Sequence, residues 1–341
     1  MTLSIVIPLY NKEKHILRCL KSLLAQDLSQ DQYEIIVVDD GSTDSGGNIA
    51  LNYAEIYGNV CFFKQENKGV SAARNKGLDI AKGVYVYFMD ADDYLVENTL
   101  NELLAICTEK ELEILEFDTR QTNNNAPIFS ISETTSTPSL HIMDNVAYIS
   151  KHGFADEAWR YFVKRELLKE SGLRFIEGTL YEDVIFTVTL FLKAKKIGKV
   201  AMDVHRYVMV ENSIVTNKSR THNLKFINGM IFAIEHFESL IQDLDTKDSN
   251  YHLFVNKIKE RQQVLVFALI IRTLKYRPMD YKQLKKILAK LKLSGAYPID
   301  LRTGKTSQEK SSGIYNLFVP IFNNKILLYI IMALMRLVRV P

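Results

Sequence analysis

Cysteine is scarce in this chain, and the three present, Cys19, Cys61 and Cys107, are odd in number, far apart and without a Cys-x-x-Cys spacing. That excludes a disulfide framework and a cysteine zinc site, and it suits a reducing cytoplasm. Nothing ahead of the first strand signal at Leu3 resembles a secretory signal. A clean apolar run of the ~20 residues that span a bilayer is missing too. The two most apolar stretches, Leu317–Phe322 and Ile326–Met335, are interrupted by Pro320, Asn323, Asn324 and Lys325. Tryptophan occurs once, at Trp159, and no internal repeat is evident. The chain is nevertheless an ordinary globular composition, 47% hydrophobic and 24% charged, and its 341 residues suggest about two domains.

A strong net charge is also absent, but the total of +3 hides an asymmetry. Residues 1–223 hold 24 Lys and Arg against 31 Asp and Glu, a balance of −7, whereas residues 224–341 hold 19 against 9, a balance of +10. A basic segment suits nucleic acid, an anionic membrane surface or a solvated helix face. The large apolar content of this one argues against nucleic acid.

What is present begins with Val84-Tyr85-Val86-Tyr87-Phe88-Met89, an apolar strand-like run that stops on Asp90, Asp92 and Asp93. A buried strand cannot carry unpaired carboxylates into its core, so the run must surface there, at the end where open α/β sheets bind ligands. Asp-x-Asp at such a point suits a hard divalent cation whose oxygen shell is completed by substrate phosphates and water. A second run, Glu34–Val38, ends on Asp39-Asp40-Gly41-Ser42-Thr43-Asp44. Either end alone reads as a turn capping the next helix; the two together read as a site.

The first ~120 residues alternate strand and helix signals in the manner of a parallel sheet with crossovers. Strands are expected at Leu3–Pro8, Glu34–Asp39, Asn59–Lys64, Val84–Met89 and Glu113–Asp118. Helices are expected from Ile16, from Ser71 to Ala81 and from Glu97 to Cys107. Residues 121–139, rich in Asn, Thr, Ser and Pro, read as a long loop or irregular hairpin. Glu157–Ser171 and Asp183–Lys196 look helical, and Lys199–Val210 looks like a strand. Beyond Leu224 the pattern is helical, at Phe226–Leu244, Tyr251–Lys275 and Tyr281–Leu291, with a break at Pro278. Residues 314–341 read either as a helix docked on the core or as one lying in an anionic membrane interface, with Arg336 and Arg339 beside the apolar stretch.

Five segments in order resemble the nucleotide-sugar glycosyltransferases of family 2, which have the GT-A fold. They are Ile5-Val6-Ile7-Pro8-Leu9-Tyr10-Asn11, Val37-Val38-Asp39-Asp40-Gly41-Ser42-Thr43-Asp44, Asn67-Lys68-Gly69-Val70-Ser71-Ala72-Ala73-Arg74-Asn75, Asp90-Ala91-Asp92-Asp93 and Tyr181-Glu182-Asp183. The resemblance implies an α/β GT-A fold, a Rossmann-like, mostly parallel sheet flanked by helices, over residues 1–222. Residues 223–341 then form a helical C-terminal region.

The same resemblance implies an inverting transfer of a sugar from a nucleotide sugar, UDP-linked, to a hydroxyl of a saccharide or lipid-linked saccharide, in cell-surface polysaccharide synthesis. It places the enzyme in the cytoplasm, at the inner face of the membrane if the C-terminal segment docks there. Pro8, Tyr10 and Asn11 would line the base pocket, with Asp39 reading the nucleobase. Asp90 and Ala91 would face the ribose, and Asp92 would bind Mg²⁺ or Mn²⁺. Gly69 and Arg74 would face the phosphates, although Arg74 pairing with Asp90 or Asp40 is an equal alternative. Asp183 would be the general base, with Glu182 orienting it or touching the acceptor, against an alternative in which Asp183 merely stabilises a helix N-terminus. Trp159 would be an acceptor platform or a core residue, and His205 an extra metal ligand.

One departure stands out. Where many bacterial relatives carry Tyr-Arg-x-Arg, this chain has Tyr207-Val208-Met209-Val210, so neutralising the diphosphate falls to the metal and to Arg206, Lys218 or Arg220. Rival readings are a nucleotide-binding subunit without catalysis and a phosphoacceptor module.

Overall fold

The computed structural model describes residues 1–123, 138–155, 157–210, 218–300 and 313–337. Two compact units emerge, one of Met1–Tyr148, Ala155–Gly178 and Glu182–Glu211, the other of Ile149–Phe154, Thr179–Tyr181 and Asn212–Pro341.

The first unit is built on a nine-stranded sheet. Its strands are β1 (Leu3–Leu9), β2 (Tyr33–Asp39), β3 (Val60–Lys64), β4 (Tyr85–Phe88), β5 (Tyr94–Leu95), β6 (Ile114–Asn123), β7 (Leu140–Met143), β8 (Tyr161–Lys164) and β9 (Ile197–Met209). Between them run α1 (Ile16–Leu24), α2 (Gly46–Ile56), α3 (Val70–Ile80), α4 (Leu100–Glu109), α5 (Asn145–His152, its second half counted in the other unit), α6 (Arg165–Ser171) and α7 (Glu182–Lys193). The order is β3-β2-β1-β4-β8-β6-β9-β5, with β7 on β9.

The sheet is parallel over β3-β2-β1-β4. Beyond β4 it is mixed, because β8 pairs antiparallel with both β4 and β6 while β6 and β9 are parallel. The parallel half follows from its sequence: β1 and β2 are buried on both faces and read as continuous apolar runs. Leu3, Ile5, Ile7 and Leu9 pack with Ile16, Cys19, Leu20 and Leu23 of α1. Each such side chain fully removed from water contributes about 1.5–3 kcal/mol. On the opposite face α3 comes so close that a Cβ on Gly77 would lie 2.2 Å from Val6 Cγ1, so only glycine fits there.

The expected helix over Glu157–Ser171 is overturned. A short 3₁₀ turn at Ala158–Arg160 leads into β8, and only Arg165–Ser171 is helical. Tyr161, Phe162 and Val163 are fully buried, and their β-forming side chains gain more between two neighbouring strands than on a helix. The expected loop at 121–139 is part strand, since β6 runs to Asn123, while residues 124–137 lie outside the described ones.

The second unit is helical: α8 (Arg220–Gln242), α9 (Tyr251–Tyr276), α10 (Tyr281–Leu293), α11 (Gly313–Asn323) and α12 (Lys325–Leu337). Helices α8 and α9 run antiparallel. Gln262 Nε2 donates to Ile234 O at 2.8 Å, while Arg272 Nε donates to Asn223 Oδ1 at 2.8 Å. The Arg272 guanidinium also lies 3.6 Å from the Phe226 ring centroid. Among the described residues no single helix is long and apolar enough to cross a membrane.

Candidate active site

The parallel half of the sheet reverses its direction of winding at β1, with β2 and β3 on one side and β4 on the other. Open α/β sheets form a crevice at such a switch point, outside the C-terminal ends of the strands. The loops after β1, β2 and β4 therefore meet, and each carries one of the sequence motifs.

The β1 and β2 loops are laced together. Asn11 takes a left-handed φ of 51° and its Oδ1 accepts from Thr43 N at 2.8 Å, while its own N–H donates to Ser42 Oγ at 3.1 Å. Asp44 Oδ2 accepts from Glu13 N at 2.9 Å. Tyr10 projects from this frame 47% exposed, beside a half-buried Pro8. A tyrosine left so open at a strand end is free to meet a ligand.

The two aspartates after β2 act inward. Asp39 is 1% exposed, its Oδ1 accepting from Ser42 N at 2.9 Å. It closes its own turn at the end of β2. Asp40 accepts from Gln65 Nε2 at 2.8 Å, Lys68 N at 2.9 Å and Gly69 N at 2.8 Å. Gly69, at φ 93°, thus donates its amide to Asp40 at the start of α3.

The Asp90–Asp93 loop divides its carboxylates by exposure. Asp90 and Asp92 keep side-chain accessibilities of 31% and 16%. Ala91 between them is buried. Asp92 is paired with the Lys12 ammonium, and its carbonyl accepts from Arg18 at 3.2 Å. Asp93 is buried: its Oδ1 accepts from Val208 N at 2.9 Å and its Oδ2 lies 2.9 Å from His205 Nε2. His205 Nδ1 is 2.7 Å from the Tyr87 hydroxyl. Burial pushes the imidazole down to about 3, so it is neutral, and burial pushes the Asp93 carboxyl up. With Asp93 ionised, the tautomer that satisfies all three groups has Tyr87 donating to Nδ1 and Nε2–H donating to Asp93.

Both nitrogens of His205 are therefore engaged within the protein. Trp159 is only 8% exposed and lies flat on His205 and Tyr207, at 4.6 and 5.4 Å between ring centroids. Its ring is packed into the core.

Arg74 resolves its two readings in favour of pairing. Its guanidinium, 6% accessible, bridges Asp90 Oδ1 and Glu182 Oε1, each at 3.0 Å. Desolvation is its largest perturbation, but the carboxylates win and hold its pKa above the ordinary value. It therefore ties the Asp-x-Asp loop to the start of α7. Asp183, the next residue of that helix, is half-buried and its carboxyl is pushed up to about 8, chiefly by burial, then by the adjacent Glu182 charge, against an opposing effect of Arg74. Arg206 is not available for a diphosphate, because Asp203 holds it through both carboxylate oxygens.

Whether a cation fits is a question of donors. Among the described residues no three His, Cys, Asp or Glu side chains converge on one point. Asp92, partly open and neutralised by one flexible lysine, suits an ion that brings most of its oxygen shell with a substrate. Lys12 and Arg18 were not found from sequence. Their only signal was a position in the loop and helix that follow β1.

Residues 4–164 match the glycosyl transferase family 2 model. The chain is 27% identical over 301 residues to the uncharacterized glycosyltransferase YibD of Escherichia coli K12, covering 86% of this chain and 85% of that protein. It is 36% identical over 214 residues to a poly(ribitol-phosphate) beta-glucosyltransferase of Bacillus spizizenii, covering 62% of this chain and 32% of that much longer one. Among solved structures, Staphylococcus aureus TarS 1–349 in complex with UDP-GlcNAc superposes with a TM-score of 0.64 at 18% identity, over 99% of this chain and 92% of that one. The strand ends of β1, β2 and β4 that carry the carboxylate motifs lie inside the matched segment, and residues 4–164 are a glycosyl transferase family 2 domain.

Proposed function

We propose that this enzyme is an inverting transferase that moves a sugar from a UDP-sugar to a hydroxyl of a saccharide or lipid-linked saccharide, in the building of a cell-surface polymer on the cytoplasmic side of the membrane. The observation that carries this reading is the Arg74 bridge. It holds an open carboxylate of the donor-side loop and the neighbour of a carboxyl tuned to about 8 in one fixed arrangement. The TarS complex and the glucosyltransferase relative support the donor and polymer classes.

Residues 1–222 carry the chemistry in this reading and 223–341 form a separate helical region. Tyr10, Pro8 and Asn11 contact the base, Asp90 holds the ribose hydroxyls, and Asp92 holds a Mg²⁺ or Mn²⁺ that arrives with the donor. When bound, that ion offsets the negative charge that develops on the leaving diphosphate. Lys12, which pairs with Asp92 in this structure, would add a flexible positive charge beside the leaving diphosphate. Asp183 takes the proton of the acceptor hydroxyl as its oxygen bonds to the anomeric carbon; the bond from that carbon to the phosphate oxygen breaks, and UDP leaves with the electron pair. A base with a pKa near the working pH suits this role, since it is ionised often and still accepts a proton well. The test is a donor screen that follows nucleoside diphosphate release with Mn²⁺ or Mg²⁺. Release from UDP-sugars supports the reading; release from none of the nucleotide sugars refutes it.

A further inference from the structure

Helix α12 is inverted relative to a helix that faces water. Leu328 and Met332 point inward, at 1% and 7% exposure. Outward point Ile326 at 70%, Leu327 at 44%, Tyr329 at 55%, Ile330 at 44% and Leu334 at 55%. No charged residue occurs from Ile326 to Met335. A solvated helix places charges on its outer face, and a contiguous exposed apolar stripe marks an interaction surface.

The shape limits what covers it. Tyr315–Asn323 and Lys325–Met335 are bent by 107° at their junction. Arms of this length reach only about half of the ~30 Å hydrocarbon core, so each is better suited to lie along a bilayer than to cross it.

Charge selects the kind of surface. Helix α10, Tyr-Lys-Gln-Leu-Lys-Lys-Ile-Leu-Ala-Lys-Leu-Lys-Leu, has five lysines and no acidic residue, and all five are exposed. Lys290 pairs with Glu235, and among the described residues the other four have no carboxylate partner. This helix is fixed beside the apolar one. The Tyr281 hydroxyl donates to Lys325 O at 2.9 Å, and its ring meets Tyr329 edge-on at 5.2 Å. After α10, Tyr297 OH donates to Phe322 O at 2.9 Å, and Asn323 exchanges two bonds with the Ile299 backbone, at 2.8 and 3.0 Å.

We propose that α10 and α12 together form a docking surface for an anionic lipid bilayer, with the α12 stripe entering the acyl boundary and the α10 lysines meeting headgroups. This goes beyond the transfer reaction and does not rest on it. A second copy of the chain is the poorer occupant, because a two-fold contact over this face would set one lysine row against another.

The test uses the full chain and sedimentation with lipid vesicles. Binding is expected to vesicles that contain phosphatidylglycerol, to be weak with pure phosphatidylcholine, and to fall as salt is raised. Replacing Lys285 and Lys286 by alanine weakens it about 30-fold, roughly fivefold for each charge. Ile330→Asp abolishes it, while both variants melt like wild type and release nucleoside diphosphate at the wild-type rate. Equal binding to both vesicle types, no binding, or unaltered binding by the lysine variant overturns the proposal. So does an oligomer that Ile330→Asp dissociates while wild type ignores vesicles, which would assign the face to a second copy.

Discussion

In the sheet-bearing unit the polar groups around the site are held against one another: Arg74 against Asp90 and Glu182, Asp93 against His205, Arg206 against Asp203. In α10 of the helical unit the lysines face water, and Lys290 alone has a carboxylate partner among the described residues. Burying an ion costs several kcal/mol and is recovered only by good partners, so a chain that buries several at one edge gains little stability from them. What it gains is carboxylates held in place before a substrate arrives, which is how charge accelerates a reaction. Exposed lysines cost little and hold nothing in place. They act at longer range, on whatever anionic surface comes near.

The comparison breaks first at Asp92. Its pairing with Lys12 is partly exposed, and such pairs contribute at most about 1 kcal/mol to folding. Asp92→Ala is therefore expected to leave the melting temperature nearly unchanged while taking transfer below detection and removing metal-dependent UDP binding in calorimetry. Ordinary turnover by this variant at ordinary metal concentrations would show that the loop's open carboxylate is not the ion's anchor.

Asp183 separates binding from chemistry. Asp183→Asn is expected to keep donor affinity and lower turnover by about 10²- to 10⁴-fold, the scale of a lost general base. The wild type supplies a second signature. A base works ionised, and burial has pushed this carboxyl up to about 8, so the rate should rise with pH through that region and level off above it. The asparagine variant's residual rate should lack that step. A variant that loses donor binding instead, with its rate per bound complex intact, would make Asp183 a structural residue.

Arg74 tests the buried side of the comparison by stability. Arg74→Met leaves Glu182 and Asp90 without their shared cation, and removing one partner of a buried pair typically costs 3–5 kcal/mol. Adding Glu182→Gln should recover part of that loss in denaturant unfolding. The matched change on the other side, Lys285→Ala, should stay within about 0.5 kcal/mol. Similar losses from the two would erase the distinction between held and displayed charge.

These regions also differ in how much of them was legible. The parallel strands β1, β2 and β4 announce themselves as apolar runs, and their acidic ends mark the site, because both signals are local. Strand β8 stayed hidden inside a helical-looking segment: its four residues are held by β4 and β6, partners distant in sequence. The same holds for side chains. Asp183 and Asp92 were placed by their motifs, but Lys12 meets Asp92 across 80 residues and His205 meets Asp93 across 112, distances over which no periodicity speaks. The burial of Asp39 was not legible, because a motif gives a residue's place in the chain and not the direction of its side chain. The C-terminal helices were readable from period alone, and their basic apolar character was visible, but which face each turns outward was not.

The smallest effect sharpens the comparison from the helical side. Asp280 caps α10 in a reciprocal box: its carboxylate accepts from Gln283 N at 2.8 Å, and Gln283 Oε1 accepts from Asp280 N at 3.0 Å. It is also the residue that ends the Pro278 break and sets where the lysine row begins. Asp280→Ala should cost about 1 kcal/mol, the ordinary worth of such a cap. If α10 only carries charge to a surface, that loss appears in the melting curve while kcat and the donor KM stay at wild-type values. A fall in kcat beyond what the lost stability explains would mean that α10 supports the active site, and the division between a unit that reacts and a unit that docks would have to be redrawn.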